Sequence, residues 1–199
     1  MKIIIMMITA ALVAVGNLSA APEIGKAAPD FTAVDSNGKT HKLSDYKGKF
    51  VVLEWLNLGC PFVRKHYESH NMQNLQKQYT DKGVVWLSIV SSAPGKQGNL
   101  TPEETNKRKQ QEGSNATVIL LDEKGIVGRL YDAKTTPDMF VINPAGVLLY
   151  SGAIDDKKST DVADIPTSKN YVKAALDEAL AGKPVSQAQT ASYGCSVKY

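Results

Sequence analysis

The chain has 199 residues, 43% of them hydrophobic, so it is long and apolar enough to bury a sizeable core within one domain. Its formal net charge is +3 with both signs interspersed, which excludes the basic surface of a nucleic-acid-binding protein. Two cysteines in a chain of this length cannot replace a core, which excludes a disulfide-dense scaffold.

Residues 1–20 have the pattern of a signal peptide. Lys2 is the charged start, residues 3–15 are apolar, and Ser19-Ala20 supply small residues before a cut. The apolar run is shorter than the roughly 20 residues that span a bilayer. We therefore predict export to the periplasm or the medium, with no membrane association after cleavage. An uncleaved membrane anchor is the alternative.

The first predicted elements are three strands. Alternating runs at 31–34 and 39–43 flank Ser36-Asn37-Gly38, which predicts an N-terminal β-hairpin. His41 in the second arm is interpreted as a surface residue of the strand. The near-continuous apolar run at 50–55 then predicts a strand that is covered on both faces in a parallel sheet.

A cysteine lies between this strand and the next helix, which is predicted to run from Pro61 to about Thr80. Cys60 stands at the first helical turn, where unpaired N–H groups and the helix dipole favour a thiolate. Pro61 suits the first helical position, and Arg64 adds positive potential. Cys60 is therefore a candidate nucleophile, and an unreactive buried cysteine is the alternative.

The rest of the chain alternates strands and helices. A capping box at Thr101 and Glu104 predicts one helix start. Residues 155–167 are interpreted as a polar loop with solvated aspartates, and residues 183–199 as a tail that carries Cys195. This order predicts an α/β domain over 21–182, a mixed sheet with helices on both faces. The predicted elements are a strand at 84–90, a helix at 101–112, a strand at 117–121, a helix at 123–131, a strand pair at 139–142 and 147–152, and a helix at 171–181.

Several motifs resemble thioredoxin-fold proteins of the redoxin family, the AhpC/TSA-type or peroxiredoxin-like branch. Trp55 lies five residues before Cys60, Thr136-Pro137 directly precede a strand, and FVINPAGVLLYSG at 140–152 resembles the strand pair of that family. The run WLNLGCPFVRKHY and the ending GCSVKY are similar to exported members. The resemblance implies a thioredoxin-like fold in which Pro137 is a cis-proline packed against the active cysteine.

The chain departs from the family pattern around this cysteine. Asn57 and Val63, three residues before and after Cys60, leave no C-x-x-C pair. Asn57 also stands where peroxiredoxins carry a threonine, and Pro137 stands where they carry an arginine. Arg64 or Arg129 are the candidates to replace that arginine.

These observations lead to two hypotheses. In the first, Cys60 attacks a peroxide or a protein disulfide, Cys195 resolves the product, an unidentified thiol supplies electrons, and no cofactor is needed. In the second, Cys60 and Cys195 form a permanent disulfide in a non-catalytic binding module, which would stabilise it by about 4–5 kcal/mol. The supporting residues of the redox site are predicted to be Trp55, Asn57, Pro61, Arg64, Thr136 and Pro137.

A metal site is a third interpretation. His66 and His70 are four residues apart on the predicted helix and follow Cys60 closely. The chain lacks the second local cysteine and the distant histidine that copper-handling relatives of this fold use. We therefore interpret the pair as surface histidines and predict no metal.

Overall fold

The computed structural model describes residues 21–199, so the predicted signal peptide lies outside the described residues. Within that range none of the helices is long and apolar enough to cross a membrane. The strands are β1 (Thr32–Asp35), β2 (Thr40–Lys42), β3 (Val51–Trp55), β4 (Val85–Val90), β5 (Val118–Leu121), β6 (Thr135–Thr136), β7 (Met139–Ile142), β8 (Leu148–Gly152) and β9 (Cys195–Ser196). The helices are α1 (Pro61–Glu68), α2 (Asn71–Thr80), α3 (Pro102–Gln111), α4 (Ile126–Leu130) and α5 (Tyr171–Leu180), with 3-10 helices at Leu43–Tyr46 and Val162–Thr167.

A mixed sheet of seven strands forms the centre of the molecule, in the order β2-β1-β5-β4-β3-β7-β8. The three middle strands β5, β4 and β3 run parallel, and every other pairing in this sheet is antiparallel. A parallel neighbour needs a long crossover, which α1 and α2 provide between β3 and β4. The predicted α/β fold with its N-terminal hairpin is confirmed.

Apolar side chains pack on both faces of this sheet. Along β3 the side chains alternate, so that Val52 faces one core while Val51 and Leu53 face the other. Buried residues of α1, α2 and α5 cover the Val52 face, and α4 with the first 3-10 helix covers the opposite face. The predicted layering, with helices on both sides, is therefore correct.

Two predicted helix boundaries are wrong, and a left-handed residue explains each. The helix predicted from Pro61 to about Thr80 is two helices, because His70 has φ of 57° and interrupts the hydrogen bonding after Ser69. The helix predicted from Glu123 begins at Ile126, after Gly125 with φ of 64°. Side-chain periodicity alone does not reveal such breaks.

Three polar residues that the sequence places at the surface are buried. His41 bonds through its two ring nitrogens to Asp35, at 2.8 Å, and to Tyr46, at 2.6 Å. The 3-10 helix that carries Tyr46 folds over this arm of the hairpin and covers it. His66 and Asp155 are buried as well, since they face each other between α1 and the segment after β8.

The C-terminal tail lies along the domain instead of extending from it. Thr190 N–H donates to Ser151 of β8 at 3.1 Å, and further on Ala93 N–H donates to Lys198 at 2.8 Å. Between these contacts, β9 pairs with β6. We call residues 188–199 the C-terminal strap. The sequence shows only a tail without a periodic core pattern, because the docked path depends on partners far away in the chain.

Candidate functional site

Cys60 occupies the N-cap of α1, at the end of the loop that leaves β3. Pro61 takes the first helical position, as the sequence predicts, where its missing N–H costs no hydrogen bond. The Cys60 carbonyl already accepts from the N–H groups of Val63 and Arg64, at 3.0 and 2.9 Å. The sulfur therefore sits at the positive end of the helix dipole.

The loop before β7 approaches this cysteine. The Thr136-Pro137 bond is cis, as the resemblance implies. The Cys60 thiol donates to the Thr136 carbonyl, with 3.1 Å between sulfur and oxygen. The Thr136 hydroxyl is buried and has no hydrogen-bond partner among the described residues. Cys60 and the Thr136-Pro137 pair, distant in the sequence, thus share one site.

The C-terminal strap brings the second cysteine to the same place. In the β6–β9 pair, Thr136 stands opposite Cys195 and Thr135 opposite Ser196. Cys60 is fully buried, Cys195 is partly exposed, and both are free thiols. Their side chains are close enough to share a hydrogen bond. Both cysteines therefore lie against Thr136, Cys60 through its thiol and Cys195 through strand pairing.

The two thiols differ in acidity. Burial acts to raise the pKa of Cys60, but hydrogen bonds from the Cys195 side chain and from backbone N–H groups outweigh it and lower this pKa. The pKa of Cys195 is raised to about 11 by burial, by its hydrogen bond to Cys60 and by the negative charge of Cys60. Cys60 is thus the more acidic thiol of the pair and Cys195 the less acidic one.

Asn57 shapes the loop before the cysteine. Its amide nitrogen donates to the Gln97 carbonyl at 3.2 Å, and its oxygen accepts from Gly59 N–H at 2.9 Å. Its backbone carbonyl accepts from Cys60 N–H at 2.9 Å. The side chain is therefore occupied by the loop, and Asn57 contributes by holding the backbone that leads into Cys60.

Neither candidate arginine points to the cysteine. Arg64 is exposed and pairs with Glu68 one turn further along α1. Arg129 donates to the Lys124 carbonyl and stacks over Tyr199, with 4.5 Å from the guanidinium carbon to the ring centroid. Neither side chain therefore replaces the peroxiredoxin arginine at this site.

Trp55 lies on the opposite face of the sheet from Cys60. Its ring packs against Tyr131 and Phe140, with centroids 5.6 and 5.2 Å away, and its indole N–H donates to Ser91 at 3.1 Å. Because neighbouring strand residues alternate between faces, Trp55 is directed away from the core that contains Cys60. It supports the strand and does not line the thiol site.

Glu54, its neighbour, faces the core on the Cys60 side. This fully buried carboxyl accepts from Tyr67 of α1 at 3.0 Å, Gln76 of α2 at 3.1 Å, and Trp86 and Ser88 of β4 at 2.7 and 2.8 Å. Burial raises its pKa in spite of these bonds. Glu54 thus fixes the helix that begins at Cys60 onto the sheet. In the sequence, Glu54 only interrupts the otherwise apolar run at 50–55, which gives no sign of these partners.

A second buried polar cluster joins α1 to the C-terminal strap. Asp155 faces Lys65, with 3.7 Å from carboxylate oxygen to ammonium nitrogen, and His66, with 3.9 Å to the ring nitrogen. Tyr193 of the strap donates its hydroxyl to the same carboxylate. His66 follows the buried Val63 by three residues, which was the only sequence signal that it faces the core.

The histidine pair of the metal interpretation is separated. His66 is buried in α1, whereas His70 is exposed at the break before α2, so the two no longer share a helix face. Among residues 21–199, no group of three or more His, Cys, Asp or Glu side chains is close enough to hold a metal ion.

Taken with the sheet order, a cysteine at the start of the helix after β3 and a cis-proline loop against it define a thioredoxin-fold protein with a cysteine-centred site. The chain belongs to the AhpC/TSA family, whose family model matches residues 24–151.

Relatives of this chain carry names from two branches of thiol chemistry. The thioredoxin-like protein YneN of Bacillus subtilis is 28% identical over 71% of this chain and 79% of its own length. The thiol-disulfide oxidoreductase ResA of Bacillus subtilis is 31% identical over 61% of this chain, and the match spans 63% of ResA. Mouse Peroxiredoxin-2 is 30% identical over 79% of this chain and 76% of its own.

Solved structures extend the similarity to the whole described fold. A conserved protein from Geobacillus kaustophilus superposes with a TM-score of 0.79 and 31% identity, covering 92% of this chain and 94% of that one. A protein from Sinorhizobium meliloti superposes with a TM-score of 0.75 and 26% identity, covering 91% of this chain and 97% of that one. The thioredoxin domain of a Bacteroides vulgatus thiol-disulfide oxidoreductase has the same fold. It superposes with a TM-score of 0.52 and 20% identity, covering 74% of this chain and 97% of that one.

Proposed function

We propose that this protein is a thiol–disulfide oxidoreductase in which Cys60 and Cys195 alternate between two thiols and one disulfide. The observation that carries the proposal is that two free cysteines meet at Thr136, Cys60 through its thiol and Cys195 through the β6–β9 pairing. The lowered pKa of Cys60 and the pKa of Cys195 raised to about 11 agree with different roles for the two. The family match and the names of the relatives support a thiol redox function.

The first step is an attack by the Cys60 thiolate on a disulfide of a substrate. A bond forms between Cys60 sulfur and one substrate sulfur, and the second substrate sulfur leaves as a thiolate. The hydrogen bonds that favour the Cys60 anion make its thiolate easier to form than that of an ordinary cysteine. Since Cys60 is fully buried under the strap, the strap must move aside for this step.

In the second step the Cys195 thiolate attacks Cys60, and the substrate leaves as a thiolate, with a disulfide between Cys60 and Cys195 as the product. Two of the causes that raise the pKa of Cys195 are its hydrogen bond to Cys60 and the Cys60 charge. Both vanish once Cys60 is bonded to substrate, while Lys198 continues to favour the Cys195 anion. Formation of the mixed disulfide thereby activates the resolving thiol.

An external thiol would complete the cycle by reducing this disulfide, and the same pair run in reverse would oxidise a substrate dithiol. We also propose that the protein acts outside the cytoplasm, on the signal-peptide pattern of residues 1–20. No cofactor is needed, because both electrons are held by the two sulfurs.

Peroxide reduction is a second candidate, supported by the family and by the similarity to Peroxiredoxin-2. There the Cys60 thiolate would take one peroxide oxygen to become a sulfenic acid, and Cys195 would condense with it and release water. We rank this candidate lower because Arg64 and Arg129 are bound elsewhere and Asn57 is held by its own loop.

A comparison of reactivities tests the proposal. The reduced protein and a Cys195→Ser variant are mixed with stoichiometric oxidised glutathione or with hydrogen peroxide, and products are located by mass spectrometry. We expect a Cys60–Cys195 disulfide in the wild type, a glutathione adduct on Cys60 in the variant, and faster reaction with the disulfide than with peroxide. Cys60→Ser is the matched control, in which Cys195 stays a thiol.

Two results would contradict the proposal. Modification of Cys195 while Cys60 remains a thiol would reverse the assigned roles. A Cys60–Cys195 disulfide that forms but has a reduction potential below about −300 mV would instead favour a permanent structural bridge.

A further inference from the structure

The Asp155 carboxylate is the centre of a buried cluster that the redox steps do not use. One oxygen accepts from Lys157 N–H at 2.9 Å and from the Tyr193 hydroxyl. The other oxygen faces Lys65 and His66, at 3.7 and 3.9 Å. The side chains of Lys65, His66 and Asp155 have no exposed surface at all. The cluster is thus shielded from water, where its polar contacts are strong.

Both cysteines are close in sequence to members of this cluster. Lys65 and His66 lie on α1, which begins after Cys60, and Tyr193 lies two residues before Cys195 in the strap. The Tyr193 ring also packs edge-on against Phe62 of α1, with 5.9 Å between centroids. The cluster therefore joins the element that presents one thiol to the element that presents the other.

The backbone between Tyr193 and Cys195 has little freedom to move, so the position of Tyr193 fixes that of Cys195. Gly194 passes so close to β6 that an added Cβ would lie 2.1 Å from the Thr136 carbonyl oxygen. A slip of one residue in the β6–β9 pair would turn the cysteine to the opposite face. Only the register that places the Tyr193 hydroxyl on Asp155 also directs Cys195 to Cys60.

We propose that Asp155 and Tyr193 are positioning residues for the resolving thiol: their hydrogen bond fixes the register of the strap and so holds Cys195 against Cys60. A buried ion pair contributes little net stability compared with apolar packing, but it can specify one arrangement among several. The use of this register in a redox cycle rests on the proposed function, whereas the anchoring itself does not.

The test measures the effective concentration of Cys195 at Cys60. Wild type, Tyr193→Phe and Asp155→Asn are equilibrated with mixtures of reduced and oxidised glutathione, and the intramolecular disulfide is quantified by mass spectrometry. Because a buried hydrogen bond to a charged group is lost, we expect the effective concentration to fall about tenfold to a hundredfold. Tyr193→Phe keeps the ring on Phe62, so the folded state is retained.

Two control variants separate this effect from general perturbation. Asp156→Asn changes the adjacent, exposed carboxylate, and Tyr171→Phe removes a nearby hydroxyl that makes no hydrogen bond within residues 21–199. Neither should change the effective concentration. In a Cys195→Ser background, the rate at which oxidised glutathione first reacts with Cys60 should not fall in Tyr193→Phe, since the first step needs the strap to open and only the second step needs it in place.

Equal effective concentrations in wild type, Tyr193→Phe and Asp155→Asn would overturn the inference, as would an equal loss in the two controls. If wild-type Cys60 proves unreactive, the proposed function fails but the anchoring is still measured. In that case the anchoring is tested by the hydrogen-exchange rate of the Val197 amide, whose N–H donates to the Lys134 carbonyl at 3.1 Å. Faster exchange in Tyr193→Phe supports the register role, and unchanged exchange rejects it.

Discussion

At the scale of single residues, two buried titratable groups respond to pH in opposite directions. Burial raises the pKa of Asp138 to about 7, although backbone N–H groups and Ser192 hydrogen-bond to it. Burial lowers the pKa of His66 to about 4, with Lys65 adding to this effect and Asp155 opposing it. One group therefore gains a proton on folding where the other loses one.

The sign of each contribution follows from proton binding. Between about pH 4 and pH 7 the folded protein holds a proton on Asp138 that the unfolded chain has released, so this group's contribution to the free energy of unfolding falls as pH rises. Between about pH 4 and pH 6.5 the unfolded chain holds a proton on His66 that the folded protein lacks, so that contribution rises with pH. The two partly cancel in the wild type.

Asp138→Asn should reveal how much Asp138 contributes to the pH dependence of the free energy of unfolding. With the raised carboxyl removed, the variant should gain stability relative to the wild type as pH rises from 4 to 7, by about 4 kcal/mol over the window. Urea unfolding at half-unit pH steps measures it. Asp132→Asn, an exposed carboxylate paired with Lys134, is the control. Parallel curves for Asp138→Asn and wild type would show that Asp138 titrates normally.

At the scale of elements, the pairing of β6 with β9 covers Cys60. Cys60 is fully buried, and the Thr136–Cys195 pair lies directly over it. Gly194 has φ of 142° and no room for a side chain against Thr136. A single methyl group at this position therefore tests how firmly the strap is closed.

Gly194→Ala should displace the strap, because the added carbon would lie 2.1 Å from the Thr136 carbonyl oxygen. In a Cys195→Ser background, we expect Cys60 to be alkylated by iodoacetamide about tenfold faster or more, since the opened population rises with the strain. Gly182→Ala is the matched control, as it also has positive φ, 69°, but no atom within 4 Å. Equal rates in the two variants would mean that the strap does not limit access.

At the scale of the whole molecule, a disulfide would tie the C-terminus to the centre of the fold. The strap contacts β8, β6 and the segment after β4 along its length, so the reduced protein already holds both thiols together. Forming the bond should therefore need little rearrangement. Its main effect is to restrict the unfolded chain between residues 60 and 195.

The oxidised protein should be the more stable one. A loop of this length predicts a gain of about 4–5 kcal/mol, which for a domain of this size raises Tm by roughly 10 °C. Calorimetry with and without reductant measures the difference, and Cys195→Ser should show none. An oxidised protein that melts at or below the reduced one would mean that the bridge distorts the native structure.

Features that depend only on neighbours along the chain were predictable from the sequence. Alternation and buried runs predicted the strands of the sheet, the capping box at Thr101 predicted the start of α3, and the strand–cysteine–proline order predicted Cys60 where α1 begins. These features follow from local backbone geometry, which a few consecutive residues specify. The break in the helix at His70 was not predicted, because a left-handed residue other than glycine has no clear local signal in the sequence.

Tertiary structure alone decided which polar side chains are buried and where the strap lies. Asp155 begins a segment with the composition of a solvated loop. It is buried because Lys65, His66 and Tyr193 contact it from distant segments. The position of Cys195 over Cys60 likewise depends on pairing with β6. A polar group is stable out of water only with partners, and the chain's folding, not its local pattern, supplies them.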